Sequence, residues 1–370
     1  MSTLLDAHDQ WLKDTGPAAL VIREFLMSVE GNDGVVFPAT FAASEDRVFK
    51  GGYNIDLFPD GSNICLIDSV GSQANRIEPI FAKPPYAGLI PQIIIKAGEG
   101  AAQKTLNLLH AGHRAGDAIA RCSSLKAELQ AAFKAVQAGD FTPLAQVAPT
   151  SIVFGAWDSR DTQAKVPRLV AWTIRAFNVR KLTRSAQYVP AMEYVEDGLL
   201  DEPADDTAKK SYAERGFVHV PAPAAHGGII ADGGIRRDAT LHLAALRLVS
   251  GTTPEATEKL QRYILGLALV ALVAPPPGYL RQGCNLVRDP DPKKAREFAE
   301  VSADGARKPL GVTVAEALEY ARTAAKDFGI DPDRTIAFGV GKDREVPFDV
   351  KAAKQDAADS KKSKRAKKSQ

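Results

Sequence analysis

The stretch from residue 148 to residue 168 constrains the fold more than any other part of the chain. Residues 151–157 form an apolar run typical of a strand, and a polar turn follows at residues 158–161. Beyond the turn, Lys165, Arg168 and Arg175 recur at a spacing that places them on one stripe of an α-helix. The apolar residues between them would face a core. The pattern therefore predicts a strand, a turn and an amphipathic helix with a basic face.

Charge is segregated along the chain. Residues 158–187 carry seven basic and two acidic side chains, whereas residues 193–206 carry seven acidic side chains and no Lys or Arg. A surface selected for solubility alone would mix the two signs. The basic segment is either an ordinary solvated face or a binding site for a polyanion, and the segregation of charge favours the binding site. The acidic segment would then face a basic neighbour or keep nucleic acid away.

Composition bounds the compartment and the class of protein. The chain has 370 residues, a formal net charge of +2 and three cysteines without a CxxC motif, which is typical of a reducing compartment. The N-terminus lacks the pattern of a signal peptide, and the most apolar run, at 264–274, is shorter than the roughly 20 residues that span a bilayer. We therefore expect a cytoplasmic protein that does not contact a membrane.

The periodicity predicts a mixed α and β chain. Strands are expected at 20–29, 53–57, 64–67 and 92–96, and helices at 72–81, 106–125, 126–138, 238–249, 254–274 and 313–328. We predict a single domain over residues 1–350 with an inserted loop or extended hairpin at about 197–237. The basic tail at 351–370 is expected to be disordered, because it cannot pack a core.

Candidate catalytic motifs are weak. His110 and His113 form an HxxH pair, but their imidazoles would diverge on a helix, so no zinc site is expected. Gly339–Lys342 resembles a P-loop without the Ser or Thr that must follow the lysine. Asp158 and Asp161 could bind Mg²⁺ as a pair, although the arginine between them favours salt bridges or helix capping. We expect no cofactor, no metal and no catalytic residue.

Three stretches resemble one protein family. They are DSVGSQANRIEP (68–79), LIPQIIIKAG with NLLHAGHRAGDAI (89–119), and APTSIVFGAWDSRDTQAKVPRLV with KLTRSAQYVPA (148–191). They are similar to the crRNA-binding backbone subunit of the type I-U, or I-G, CRISPR Cascade complex, in the "Cas seven" branch of the RAMP superfamily. The resemblance runs through most of residues 15–345 and has no counterpart for the basic tail.

The resemblance implies an α+β fold, with a modified RRM-like (ferredoxin-like) palm, helical insertions and a thumb-like hairpin or loop. It implies a non-catalytic subunit whose copies form a filament along crRNA and present it to target DNA. The implied partners also include other Cascade subunits and a recruited helicase-nuclease. One alternative is a metal-dependent ribonuclease of the superfamily that uses Asp158 or Asp161. Another is a small-molecule enzyme with residues 197–237 as a lid.

The expected RNA contacts are polar or basic residues, because a guide read by base pairing needs only phosphate and sugar contacts from the protein. Four of them, in the SQANR stretch, are expected at the N-terminus of a helix, whose dipole attracts phosphate. The alternative there is a Ser N-cap with an Arg76–Glu78 surface pair. The loop 278–285 suits base stacking and equally a plain surface loop. The predicted RNA-binding residues are Ser72, Gln73, Asn75, Arg76, Lys96, Arg114, Arg160, Gln163, Lys165, Arg168, Arg184, Gln187, Arg281, Gln282 and Asn285.

Overall fold

The computed structural model describes residues 4–46, 48–274, 278–339 and 341–358. Its strands are, in chain order, β1 (Ala19–Ser28), β2 (Thr40–Phe41), β3 (Gly52–Tyr53), β4 (Ile55–Leu57), β5 (Asn63–Asp68), β6 (Ile93–Ala97), β7 (Lys104–Asn107), β8 (Ala156–Trp157), β9 (Lys165–Val166), β10 (Val170–Phe177), β11 (Val179–Tyr188), β12 (Val220–Ala231), β13 (Ile235–His242), β14 (Tyr279–Arg281), β15 (Cys284–Arg288), β16 (Glu297–Val301), β17 (Arg307–Pro309) and β18 (Arg344–Pro347). Its α-helices are α1 (Asp9–Leu12), α2 (Val70–Ile77), α3 (Ala118–Arg121), α4 (Lys126–Gln137), α5 (Thr142–Val147), α6 (Thr150–Val153), α7 (Asp206–Arg215), α8 (Leu243–Leu246), α9 (Pro254–Val273) and α10 (Val314–Phe328). Short 3-10 helices occupy Leu5–His8, Glu78–Ala82, Ala87–Leu89, Gly100–Ala102, Leu108–His110, Arg114–Gly116 and Pro292–Lys294.

A nine-stranded antiparallel sheet organises the molecule. Its order is β14-β15-β1-β13-β10-β5-β4, with β16 and β17 branching from β1. The side chains of β1 alternate between buried and half-buried, so Leu20, Ile22, Glu24 and Leu26 share one face. Helices α2 and α9 pack with Leu20 and Ile22 of that face in the larger of two hydrophobic clusters, whereas Leu26 belongs to the smaller cluster. The fold is thus a mixed α+β structure with antiparallel pairing in its main sheet.

A two-stranded arm continues beyond the sheet at the point where β10 ends and β13 begins. Strands β11 and β12 pair with each other as a separate antiparallel ribbon, and helix α7 lies in the connection between them. Nearly all side chains of β11 after its first residue are exposed. The segment predicted as an inserted loop or extended hairpin at about 197–237 holds α7, all of β12 and the start of β13, so its second part is one strand of a hairpin with β11.

The basic amphipathic helix predicted after residue 161 is wrong. Residues 165–188 form β9, β10 and β11, so Lys165, Arg168 and Arg175 do not share a helical stripe. Valine, isoleucine and threonine are abundant in this stretch, and they favour strands. Strand β10 lies between β5 and β13 inside the sheet, and three consecutive buried residues mask its alternation. The helical spacing of the basic residues is a coincidence.

Three further boundaries differ from prediction. Residues 151–157 contain the end of α6 and only a two-residue strand, because Pro149 precedes a helical turn at Thr150–Val153. Residues 106–125 contain 3-10 turns and the four-residue α3; Arg114, with a φ of 55°, cannot continue a right-handed helix. The predicted helix at 238–249 is strand β13 as far as His242, and α8 is its only helical part.

The remaining elements agree with prediction. The strand at 20–29, the hairpin of β4 and β5, helix α2 and strand β6 are confirmed, as are α4, α9 and α10. In the tail, residues 351–358 are helical, and the rest of the predicted disordered segment, 359–370, lies outside the described residues. Within the described ranges, no helix is long and apolar enough to cross a membrane.

Candidate nucleic-acid interface

A cleft of about 620 Å³ opens between α2, the turn at residues 112–114 and the β8–β9 ribbon. We call it the basic cleft and define it by Asn75, Arg114, Trp157, Lys165 and Arg168. Glycines, other small or apolar residues and one histidine complete its lining; these are Gly71, Gly112, His113, Gly155, Ala156, Val166 and Pro167. Three basic side chains and an amide thus share one open cavity, which suits phosphate and sugar contacts.

Arg114 forms the base of the basic cleft and is 4% exposed. Its Nη2 donates to Asn75 Oδ1 at 3.1 Å, and its Nη1 donates to the Gly155 carbonyl at 3.2 Å. Its Nε lies 2.7 Å from Glu78 Oε2 in a buried ion pair. These contacts fix the guanidinium between α2 and the start of β8, so Arg114 orients Asn75 toward the cavity.

The electrostatics of this cluster are governed by burial. Glu78 is buried, and desolvation raises its pKa to about 7 although Arg114 and the hydroxyl of Thr150 favour the ionised form. Burial and the neighbouring Arg114 lower the pKa of Arg168. Glu78 acts in the opposite sense on Arg168, because its negative charge favours the protonated guanidinium.

The β8–β9 ribbon carries the outer wall of the basic cleft. Lys165 pairs with Trp157 across the ribbon, and its Nζ lies 4.8 Å from the centroid of the indole ring. Arg168 follows β9 and donates from Nε to the Phe154 carbonyl at 2.8 Å. Gly155 adopts a φ of 78°, and a side chain there would approach the Arg168 Cα to 3.2 Å. This glycine lets the two chain segments meet closely enough to form the wall.

The turn between β8 and β9 is built on Asp158, which is 4% exposed. One carboxylate oxygen, Oδ2, accepts from the Thr162 amide at 2.8 Å and from the Thr162 hydroxyl at 2.7 Å. Oδ1 accepts from the Asp161 amide at 3.4 Å. Arg160 and Gln163 are exposed on this turn, outside the lining of the basic cleft. Asp158 therefore has a structural role in the turn.

Four other predicted contacts gather around a residue that sequence reasoning missed. The buried Asp68, at the end of β5, accepts from Ser72 Oγ at 3.0 Å, Gln73 Nε2 at 2.7 Å and Arg76 Nε at 3.1 Å. Arg281 of β14 donates from Nη2 to the same carboxylate. Ser69, one residue further, is the N-cap of α2 and accepts from the Ser72 amide. The polar residues of α2 are thus divided between the Asp68 cluster and, for Asn75 alone, the basic cleft.

The structure leaves the other predicted residues apart from the basic cleft. Lys96 pairs with Glu345 at 2.6 Å beside β18. Arg184 and Gln187 lie on the arm, where the Arg184 guanidinium sits 5.7 Å from the centroid of the Phe37 ring. Gln282 and Asn285 are exposed on the β14–β15 hairpin. His110 ends the 3-10 helix Leu108–His110, and His113 lies in the turn that follows it. Among the described residues, no group of three His, Cys, Asp or Glu side chains could hold a metal.

A second charged cavity, of about 530 Å³, lies at the end of α9. Glu24 is buried there, 3.0 Å from Arg237, 2.8 Å from Arg288 and 3.4 Å from Arg296. Sequence reasoning missed this cluster because its members are far apart in the chain. The only available signal was an acidic residue at an inward position of an apolar strand.

Comparison with known proteins agrees with a CRISPR context. Residues 20–181 match the family described as CRISPR-associated protein GSU0053. The matched region is slightly less than half of the chain and contains all five defining residues of the basic cleft. The match supports a CRISPR-associated protein family for this chain. No curated protein matches it.

Proposed function

We propose that this chain is a non-catalytic, crRNA-binding backbone subunit of a type I-U (I-G) Cascade complex. Copies of it polymerise along the guide RNA in the cytoplasm and present the guide for pairing with target DNA. One observation carries the proposal: the stretches that resemble this family, distant in sequence, supply the walls of a single basic cleft. Other Cascade subunits and a recruited helicase-nuclease are its further partners.

The strand order supports the RRM-like part of the proposal. Chain order runs from β1 through helices including α2 to β10, then through the arm to β13, then through α9 to β15 and β16. In the sheet, β13 lies between β1 and β10, and β1 lies between β13 and the last strands. This order is the one expected of a βαββαβ ferredoxin-like unit, with β5 and β4 as additional strands beyond β10. The β11–β12 arm connects β10 to β13, the second and third strands of this proposed unit, where the thumb is expected.

The chemistry of the basic cleft favours a scaffold over a ribonuclease. Hydrolysis by metal ions needs convergent carboxylates with open positions. Both oxygens of Asp158 accept hydrogen bonds from its own turn. Arginine, lysine and an amide at the cavity surface instead match the donors that hold a phosphate backbone without reading sequence.

Neutralising the cleft tests the proposal. In a Lys165→Ala/Arg168→Ala variant, we expect weaker binding of single-stranded RNA by about the same factor for every sequence. The slope of log affinity against log salt should fall by roughly 0.7 for each lost phosphate contact. The measurement is filter binding at several salt concentrations.

A matched control removes two exposed lysines outside the cleft lining, Lys13 and Lys308. We expect the Lys13→Ala/Lys308→Ala variant to keep the wild-type affinity and slope. Lys165→Ala alone should show half of the slope change. This single variant keeps the Arg168 contact to Phe154, so it tests the cleft even if the loss of that contact disturbs the fold of the double variant. Equal affinity and slope in wild type and the folded cleft variants would refute RNA binding in the cleft.

A further inference from the structure

An exposed tryptophan distinguishes the basic cleft from a surface that only binds phosphate. The chain has three tryptophans; Trp11 and Trp172 are 2% and 3% exposed, whereas Trp157 is 53% exposed. Leaving so large an apolar ring in water is costly, because burying an aromatic side chain is among the larger gains in folding. An aromatic ring beside basic side chains is the combination that single-strand binding proteins use for bases and phosphates together.

The backbone under this indole is held rigidly. Ala156 and Trp157 pair with Val166 and Lys165, and the Asp158 amide donates to the Ala164 carbonyl at 3.0 Å. A side chain at Gly116 would approach the Trp157 carbonyl to 2.7 Å, so the neighbouring turn packs directly against this strand. A ring on a fixed backbone loses little conformational freedom when a flat partner stacks on it.

The space and charge around the ring fit one nucleotide. A cavity of about 620 Å³ is within the range of small-ligand sites. Lys165 Nζ stands 4.8 Å from the ring centroid, which is a cation–π contact at an exposed site. Such a contact is weak enough to exchange for a phosphate. Asn75 on α2 and Arg114 at the base of the cleft supply donors for the sugar and backbone, and Arg168 supplies a donor on the same side as Trp157.

We infer that Trp157 is a stacking platform for one nucleobase of the bound RNA, an inference that rests on the function proposed above. The base lies against the indole, and Lys165 exchanges its contact with the ring for the adjoining phosphate. Stacking is tolerant of sequence because every base has a π face. The basic cleft therefore holds the guide by its backbone and, once in each copy, by a base.

Two strands of equal length test the inference: an oligoadenylate RNA and an abasic phosphodiester strand. The fluorescence of Trp157 is the difference between the tryptophan emission of the wild type and that of Trp157→Phe. We expect the RNA to quench this fluorescence and the abasic strand to leave it unchanged. Trp157→Leu should bind the RNA about tenfold more weakly, the effect of removing one stacked base. The same variant should bind the abasic strand as the wild type does, and Trp157→Phe should keep most of the RNA affinity.

A Phe58→Leu variant, at an aromatic residue 44% exposed in another turn, is the matched control and should bind both strands normally. Melting temperatures establish that the variants are folded. If Trp157→Leu does not fold, Trp157→Phe, which preserves an aromatic ring, replaces it in the comparison of the two strands. If Trp157→Leu binds the RNA with wild-type affinity, or if both strands quench alike, the stacking inference is overturned while RNA binding stands. If the wild type binds neither strand, the proposed function fails and the inference fails with it.

Discussion

At the scale of single residues, the Glu78–Arg114 pair shows how burial couples the basic cleft to stability. Both side chains are nearly inaccessible to solvent, and their atoms approach to 2.7 Å. Removing one partner of such a pair leaves an uncompensated buried charge, which costs about 3–5 kcal/mol. The pair therefore maintains the geometry of Asn75 and Gly155 at a high cost in desolvation.

The raised pKa of Glu78 predicts a dependence of stability on pH. Its pKa is about 7 in the folded protein against an ordinary value of 4.5, so the folded state holds this proton more tightly than the unfolded chain. The resulting stabilisation is fully present below about pH 4.5 and is lost as pH rises through about 7. Glu78→Gln removes this titration. We expect the wild-type free energy of unfolding, relative to Glu78→Gln, to fall by on the order of 3 kcal/mol across that window.

Urea unfolding at pH 4.5, 6 and 8 measures that difference. The exposed Glu319→Gln, on α10, is the control for the loss of an acidic side chain. Curves for wild type and Glu78→Gln that stay parallel across the three pH values would contradict the prediction, since they would mean that Glu78 ionises at the same pH in both states.

At the scale of elements, Asp68 joins β5, α2 and β14 through one carboxylate. Its partners Gln73 and Arg76 are close to it in sequence, whereas Arg281 is 213 residues away. The side chain is 1% exposed, so its partners are the only groups that can balance its charge. The position of α2, and with it of Asn75, depends on this residue.

We therefore predict that Asp68→Asn destabilises the protein by roughly 3–5 kcal/mol, because it removes the charge that Arg76 and Arg281 share. Chemical unfolding at neutral pH is the measurement. Asp56→Asn, an exposed residue on β4, should change the stability little. A loss no larger than that of Asp56→Asn would show that α2 is positioned by packing alone.

Sequence patterns predicted elements that have clear start signals or a regular alternation. Helix α9, with its Thr253 N-cap and Pro254, and strand β1, with its regular alternation, were both predictable. Strand β10 was not, because its neighbours bury Thr173 as well as the inward residues. The basic cleft was predicted in composition only: Asn75, Arg114, Lys165 and Arg168 were named, but a helix was expected to align the last two.

Two partners of the site were not predicted from the sequence. Asp68 and Glu78 look like ordinary acidic residues at the edges of a helix, and their burial depends on strands and turns distant in the chain. An acidic residue directly after an apolar strand, as in the order Ile67 then Asp68, is the sort of signal that could have drawn attention to the first. Trp157 was visible in the sequence, but its exposure could be known only from the packing.

At the scale of the whole molecule, the described residues gather basic side chains in one open cleft. Buried acidic residues in the described part are engaged in ion pairs or turns, as Glu24, Asp68, Glu78 and Asp158 are. The basic cleft presents Lys165 without a carboxylate partner among its defining residues. This distribution of charge supports the proposal that the chain binds a nucleic acid.

We accordingly predict that the protein binds guide RNA and cuts neither RNA nor DNA. Asp158 and Asp161 are the residues that a ribonuclease of this superfamily would need, yet the Asp158 oxygens accept hydrogen bonds from the Asp161 amide and from Thr162.

The experiment incubates the pure protein with labelled guide RNA and with labelled RNA and DNA targets in Mg²⁺ and in Mn²⁺. All strands should remain intact over hours. Cleavage that survives purification and disappears in both Asp158→Ala and Asp161→Ala would overturn the scaffold and establish the ribonuclease. Because Asp158→Ala also loosens the turn, Asp161→Ala, which retains the carboxylate of Asp158, separates loss of chemistry from loss of structure.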